Sequence, residues 1–426
     1  MIAIIGAGPA GCALACFLAQ RGKACIVFDN GVRPDLIVGE SLLPGVMPHI
    51  RQLGIEQEVA AISVKKYGAA IRHVGGLRLD FKFPTFGRDI PSYAYNIPRP
   101  QFDQLLQRRA ETLGVRFVQQ RALVEKTDGD PERDIALAPE SLAAAGLDQH
   151  PEMLVDATGR HRLFSRTLNL PTSRGDRDDV AYFAHFRQFD PDSSIPGQAV
   201  ITILNQGWSW QIQHRESLSV GVVIPKALAP DFGASPEARL DNVIDANPLL
   251  AANGRQRQRI SPVKSYSNYQ LISQQGYGKG WVLVGDAFGF VDPMLSPGVF
   301  MSMESAALLD RLVFAGTPSP SALAQYTREL ADWHRAWDEL IAYLYDGRLL
   351  SLFEVGKRLT DGNRRWSPGR ILEQYIRRNI GSLASGVGTR SAYRQKVLHY
   401  AAEHMVTKHL GEQPSPYRVE DCLLDS

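Results

Sequence analysis

Ile2-Ala3-Ile4-Ile5-Gly6-Ala7-Gly8-Pro9-Ala10-Gly11 opens the chain, and Ala24-Cys25-Ile26-Val27-Phe28-Asp29 follows shortly after. The first four residues have the continuous apolar character of a buried parallel strand. Gly6 permits a tight turn, Gly8 leaves room for a pyrophosphate at the backbone, and Gly11 lets the next helix pack on the strand. Ala10 sits in the same turn. A helix is expected over residues 12–20, with Gly22 ending it, and its N-terminus offers N–H groups and a positive dipole end to phosphates. Asp29, at the end of the second strand, suits a pair of ribose hydroxyls and would repel a 2′-phosphate. These residues define a dinucleotide site for FAD or NAD; the glycine spacing alone does not choose between them.

Outward from this unit, Met153-Leu154-Val155-Asp156 and Trp281-Val282-Leu283-Val284 repeat the buried-strand pattern. Leu77, Leu79, Phe81 and Phe83 alternate with polar residues, and residues 180–225 are rich in β-formers, so both stretches predict antiparallel strands. From about Pro318 onward the pattern is helical. The expected fold class is α/β: a Rossmann-type domain of the glutathione-reductase kind, with an inserted β-sheet substrate domain and a C-terminal helical region. The expected boundaries are 1–65 with 96–175 and 265–325 for the dinucleotide domain. Residues 66–95 with 176–264 form the substrate domain, and 326–426 the helical region.

Composition narrows the function classes. The 426 residues carry 47 Lys and Arg against 45 Asp and Glu, a net charge of +2 that gives no reason to expect nucleic acid. The four cysteines, Cys12, Cys16, Cys25 and Cys422, have no spacing suited to zinc or a disulfide scaffold, and no metal site is expected. The apolar stretch Trp281 to Phe300 is interrupted by Asp286, Asp292, Pro293 and Pro297, which argues against a membrane span. No basic stretch precedes the first apolar run, so no secretory leader is expected and the expected location is cytoplasmic.

Five motifs in order then choose the cofactor. They are the N-terminal glycine fingerprint, Gly39-Glu40-Ser41-Leu42-Leu43-Pro44, Arg99-Pro100-Gln101-Phe102-Asp103-Gln104-Leu105-Leu106, Asp156-Ala157-Thr158-Gly159 and Gly285-Asp286 with Pro293 to Gly298. Together they resemble the FAD-dependent monooxygenase and flavin-dependent halogenase superfamily over about residues 1 to 310. The resemblance implies FAD as cofactor, with Asp286 on the ribityl chain and Arg99 near the flavin. It also implies that Pro293, Gly298 and Val299 belong to the cofactor site, with the backbone N–H groups near Gly298 facing the N1/O2 edge of the isoalloxazine, where negative charge builds on reduction.

Within that superfamily the halogenase branch is approached most closely. Trp208-Ser209-Trp210-Gln211-Ile212 resembles its W-x-W-x-I-P signature and implies substrate contacts at Trp208 and Trp210. Lys66 has the place of its catalytic lysine, which holds or carries the oxidised halogen. Two departures stand out: Gln213 replaces the signature proline, and Ser296-Pro297-Gly298 occurs where Ser-Ser-Gly or Thr-Gly-Gly is common. On these departures the expected reaction is hydroxylation of an electron-rich aromatic through a C4a-hydroperoxyflavin, with Lys66 and Glu40 orienting substrate or moving a proton. Aromatic halogenation is the alternative, and a flavin-linked double-bond reductase a further one. The expected substrate is an aromatic, either a small molecule or carried on a partner protein or peptide, as in tryptophylquinone maturation. Reduced flavin is expected from a separate flavin reductase. Residues 355–400 hold ten Lys and Arg against two Asp and Glu, a candidate docking surface for an acidic partner.

Overall fold

The computed structural model describes residues 1–84, 89–268, 270–352, 381–382, 385–386, 388–405, 415 and 417–419. Most of the basic tail, including Arg364, Arg365, Arg377 and Arg378, lies outside the described residues.

Two sheets carry the architecture. The first has six strands in the order Tyr277–Gly278, Trp281–Leu283, Met153–Asp156, Ile2–Ile5, Cys25–Phe28 and Arg116–Val118. Its central strands are parallel, and Ile5 stands level with both Asp156 and Phe28. Four of these strands are buried along their whole length. Helices and loops cover both faces, which is why the strands read as unbroken apolar runs. Their carboxyl ends lie along one edge, where an open α/β sheet leaves its ligand crevice.

The second sheet runs Gln258–Arg259, Asp179–Arg187, Leu218–Pro225, Gly207–Gln213, Ala199–Leu204, Gly68–His73 and Arg78–Lys82, with Lys264–Asn268 also paired to Asp179–Arg187. Its side chains alternate between two cores, as the two-residue period of a strand requires. Ala181, Phe183, Trp208, Trp210 and Ile212 join the main core, facing the first sheet. Val180, Tyr182, Ala184, Val220 and Val222 form a smaller core that includes Leu240, Val243 and Ile244 of the helix Pro236–Ala246.

Some local expectations shift. The first helix begins at Pro9 rather than residue 12, because proline at a helix start has its φ preset and its missing N–H costs nothing there. The stretch 31–65, without clear periodicity in sequence, contains two short helices, Met47–Gln52 and Glu56–Ile62. Neither is long enough to show an apolar stripe. No helix among the described residues is long and apolar enough to cross a membrane.

The 26-residue helix Pro320–Tyr345 locks the two sheets together. Ser319 caps it, its hydroxyl accepting from the Ala322 N–H at 3.3 Å. Tyr326 donates its hydroxyl to the Leu283 carbonyl at 2.9 Å, on the first sheet. At the other end Tyr345 accepts from Trp208 Nε1 at 2.8 Å and donates to Asp292 Oδ2 at 3.0 Å. This buried chain joins a substrate-sheet strand to the loop before the helix Gly298–Leu309. Tyr345→Phe would take the acceptor from the buried Trp208 indole N–H and remove one donor to the Asp292 carboxylate. The expected loss is about 2 kcal/mol of unfolding free energy, read by denaturant titration; a variant as stable as the wild type would contradict this role.

Candidate active site

Three glycines shape the turn after the first strand. Gly6 has φ +110°, and a Cβ there would stand 2.4 Å from the Ala157 carbonyl oxygen. A Cβ at Gly11 would fall 1.9 Å from the Gly6 carbonyl oxygen, so the helix can lie this close to the turn only without a side chain. At Gly8, by contrast, no atom lies within 4 Å of an added Cβ. Open space at the N-terminus of a 12-residue helix whose end has no side-chain cap is what a pyrophosphate needs. Asp29 follows the second strand and pairs with Arg33 at 2.7 Å. The Asp156 carboxylate is structural, accepting from Thr158 N at 2.9 Å and Phe164 N at 2.8 Å and so fixing the turn that carries Ala157.

A cavity of about 290 Å³ extends from this turn to the second sheet. Gly8, Ala10, Arg99, Asp286, Pro293, Gly298 and Val299 all line it. Burial pushes the Asp286 carboxyl up to about 6, against the opposing pull of Arg160 and Arg99. Arg99 is held by a two-pronged pair with Asp103, both contacts at 3.0 Å, and donates to the Val38 carbonyl at 2.7 Å. Leu295 and Ser296 are both left-handed, with φ +68° and +59°. Two consecutive non-glycine residues in that region store strain, and here they turn the chain so that the helix beginning at Gly298 ends against the cavity. Free N–H groups at that end fit an electron-rich flavin edge. Cradle, carboxylate and helix end together fit FAD.

The far wall comes from the second sheet. Trp208 and Trp210 line the cavity with ring centroids 5.8 Å apart, and both indole N–H groups are already spent, on Tyr345 and on Ser219 Oγ at 3.2 Å. They therefore present apolar faces. Lys66, which also lines the cavity, is 2 % exposed and donates to Ser41 Oγ at 2.7 Å and to the Leu42 carbonyl at 3.2 Å. Burial brings its ammonium down to about 7, so near neutral pH the amine is substantially unprotonated. Its neighbour Lys65 is exposed and lies over the Tyr93 ring.

Glu40 is on the wall too, but its Oε1 faces His185 Nε2 at 2.6 Å and His214 Nε2 at 3.2 Å. Burial raises this carboxyl, yet the hydrogen bond from His185 and the nearness of both histidines overcome that and bring it to about 2, the range of a weak base. Sequence reading missed the histidines. The signal was present: His214 continues the alternating row Trp208, Trp210, Ile212, and His185 continues Ala181, Phe183.

A Rossmann cradle facing a β-sheet wall across one cavity defines an FAD-dependent enzyme of the oxidoreductase type. The tryptophan halogenase family model matches residues 80–348, and a Rossmann-like dinucleotide-binding model matches residues 4–34. The chain belongs to the tryptophan halogenase family. It is 28% identical to a tryptophan 2-halogenase from Chondromyces crocatus, over 81% of this chain and 67% of that protein. It is 27% identical to a 1H-pyrrole-2-carbonyl-(peptidyl-carrier protein) chlorinase from Pseudomonas fluorescens, over 83% of this chain and 84% of that one. In fold it is similar to the solved structure of the flavin-dependent brominase Bmp2, with TM-score 0.74, 22% identity, and 94% and 98% of the two chains covered.

These findings correct the expectation of hydroxylation, since the relatives carry halogenase names. The departures that favoured hydroxylation do not disturb the cavity wall. Gln213 is exposed at the end of its strand, while Trp208, Trp210 and Ile212 keep their places on the lining. Ser296 still lines the cavity beside Gly298.

Gly8 offers a test of the cradle. Its φ of −76° suits any residue, and a methyl there meets no protein atom. Gly8→Ala should leave the thermal stability of the FAD-free protein unchanged and weaken FAD binding at least about tenfold in equilibrium titration. Unchanged FAD affinity would contradict the placement of the pyrophosphate.

Proposed function

We propose that the protein halogenates an electron-rich aromatic ring, free or held on a carrier protein, with reduced flavin supplied by a separate flavin reductase. The observation that carries this reading is the desolvated Lys66 amine on a cavity that reaches from the FAD cradle to Trp208 and Trp210. Bound FAD, once reduced, supplies with oxygen the oxidising power that converts halide to an electrophilic halogen.

The chain's own residues do the rest. In its unprotonated form Lys66 Nζ has a lone pair that attacks the halogen of hypohalous acid; an N–X bond forms and water leaves. In its ammonium form the same group donates a hydrogen bond to the acid and keeps it from diffusing away. Ser41 and Leu42 hold the nitrogen at one point on the wall, so the halogen is delivered at a fixed place. Trp208 and Trp210 offer flat apolar faces, with no spare N–H, against which an aromatic ring stacks. The ring carbon takes the halogen and sheds its proton, and the amine is regenerated. The names of the relatives, a tryptophan halogenase and halogenases of pyrrolyl carbonyl groups on a carrier protein, support an electron-rich heteroaromatic as the substrate class.

The direct experiment is turnover with reduced flavin, bromide and isotopically labelled oxygen, on indoles, phenols and a carrier-bound pyrrolyl thioester. A product with the bromine isotope pair and no labelled oxygen is expected; a labelled, bromine-free product would overturn the reading. Lys66→Ala should retain FAD and flavin oxidation yet lose at least about 100-fold in halogenated product. Lys66→Arg should not rescue it, because a guanidinium cannot lose its proton. Lys65→Ala should be near wild type. If nucleophilic attack limits the rate, it falls as pH drops below about 7, where the amine is protonated; a rate constant between pH 6 and 8 would contradict that step.

A further inference from the structure

The carboxylate of Glu40 receives two histidines on one oxygen. His185 belongs to the strand Asp179–Arg187 and His214 follows the strand Gly207–Gln213, both of which flank the strand Leu218–Pro225. Alternation along those strands places both imidazoles on the face that carries Phe183 and Trp210, and their ring centroids are 5.0 Å apart. Glu40 arrives from the turn Gly39-Glu40-Ser41 on the cofactor side. The three ligand atoms lie within 4.8 Å of one another, the one such cluster among the described residues.

The protons do not satisfy this trio. His185 Nε2 forms a hydrogen bond to Glu40 Oε1 at 2.6 Å. His214 Nε2 lies 3.2 Å from the same oxygen but has no hydrogen-bond partner, although the residue is only 8 % exposed. A buried ring nitrogen beside a shared carboxylate, with no hydrogen bond formed, is an unspent ligand atom that a bound cation would satisfy. Two imidazole nitrogens and one carboxylate oxygen are the donor set of open zinc sites, with bond lengths of about 2.0–2.2 Å and ligand-to-ligand edges of about 3.3 Å. His214 Nε2 already stands 3.2 Å from Glu40 Oε1, whereas His185 Nε2, at 2.6 Å, would have to give up its hydrogen bond and draw back for a metal to enter. Hard cations such as magnesium and calcium prefer all-oxygen sets, so the chemistry selects a transition metal.

We propose that Glu40, His185 and His214 form a divalent transition-metal site of the zinc class, bridging the 39–41 turn and the substrate sheet. The site meets the cavity through Glu40, which lines it, while neither histidine does, and the proposal does not depend on the halogenation reading. Because its ligands come from three separated segments, the folded chain binds the metal and the unfolded chain does not, so occupancy stabilises the fold.

The experiment uses the FAD-loaded protein, stripped with EDTA and titrated with Co²⁺ and then Zn²⁺. One Co²⁺ per chain is expected, with ligand-field bands to the red of the flavin absorption that disappear on adding one equivalent of Zn²⁺. Zn²⁺ should raise the Tm of the wild type. His214→Gln, which fills the same pocket, should keep FAD and the metal-free Tm but lose at least about 100-fold in Co²⁺ affinity and lose the Zn²⁺ shift. His185→Gln, whose side chain is more exposed, serves as the second variant. A wild type without saturable Co²⁺ bands, or equal affinity in wild type and both variants, would overturn the proposal.

Discussion

The withdrawal of one lysine amine from water is the constraint on which the site turns. Lys66 Nζ has its hydrogen bonds to Ser41 and Leu42, on the segment that follows the dinucleotide cradle, while Lys66 itself belongs to the strand Val64–Lys66, paired with Ala94–Asn96. The amine can be satisfied only if the cofactor side and the substrate side meet in register. The backbone reinforces this. Gly197, with φ +68°, lies so close that a Cβ there would stand 2.1 Å from the Lys65 carbonyl oxygen and 3.2 Å from Lys66 Cα, and Asn96 Nδ2 donates to the Gly197 carbonyl at 3.0 Å. A side chain at 197 would push the lysine strand off its seat.

Such burial costs stability, and the sign follows from linkage. The Lys66 amine is lowered to about 7 in the folded chain and is ordinary when unfolded, so the unfolded chain binds more protons between those values. This group therefore opposes folding most at low pH and ceases to do so as pH rises past the ordinary lysine range. A cost retained in that way is typical of functional sites, where burial is the means of moving a pKa toward working pH. The other charges of the wall are compensated nearby: Arg99 by Asp103, Asp286 by the fields of Arg99 and Arg160, and Glu40 by two histidines. Lys66 alone among these is perturbed by burial with no opposing charge.

The cofactor half was largely legible because its constraints are local. Gly6, Gly8, Gly11 and Asp29 are recognised within one strand–turn–helix–strand unit, and Asp286 lies in the turn just after a single buried strand. The substrate half depends on which strands lie side by side, information that is spread over the chain. Trp208 and Trp210 could be noticed as a pair. Their bonding to Tyr345 and Ser219 could not, because it needs a helix more than a hundred residues away and a register with the neighbouring strand. Each of His185 and His214 continues an alternating row on its strand, but that the two rows meet at Glu40 was hidden for the same reason, since it needs the order of the strands. Gln213 misled in the opposite direction: a departure from a motif changes chemistry only if it faces the site, and this one faces solvent.

The role of the desolvated amine is tested most directly by a site-resolved titration of Lys66 in the FAD-loaded protein, by NMR of labelled lysine side chains with Lys66→Ala identifying the signal. A midpoint close to 7 is expected, well apart from the exposed lysines. A midpoint in the ordinary lysine range would mean that water reaches the amine, and the delivery of halogen through a neutral Lys66 would be contradicted.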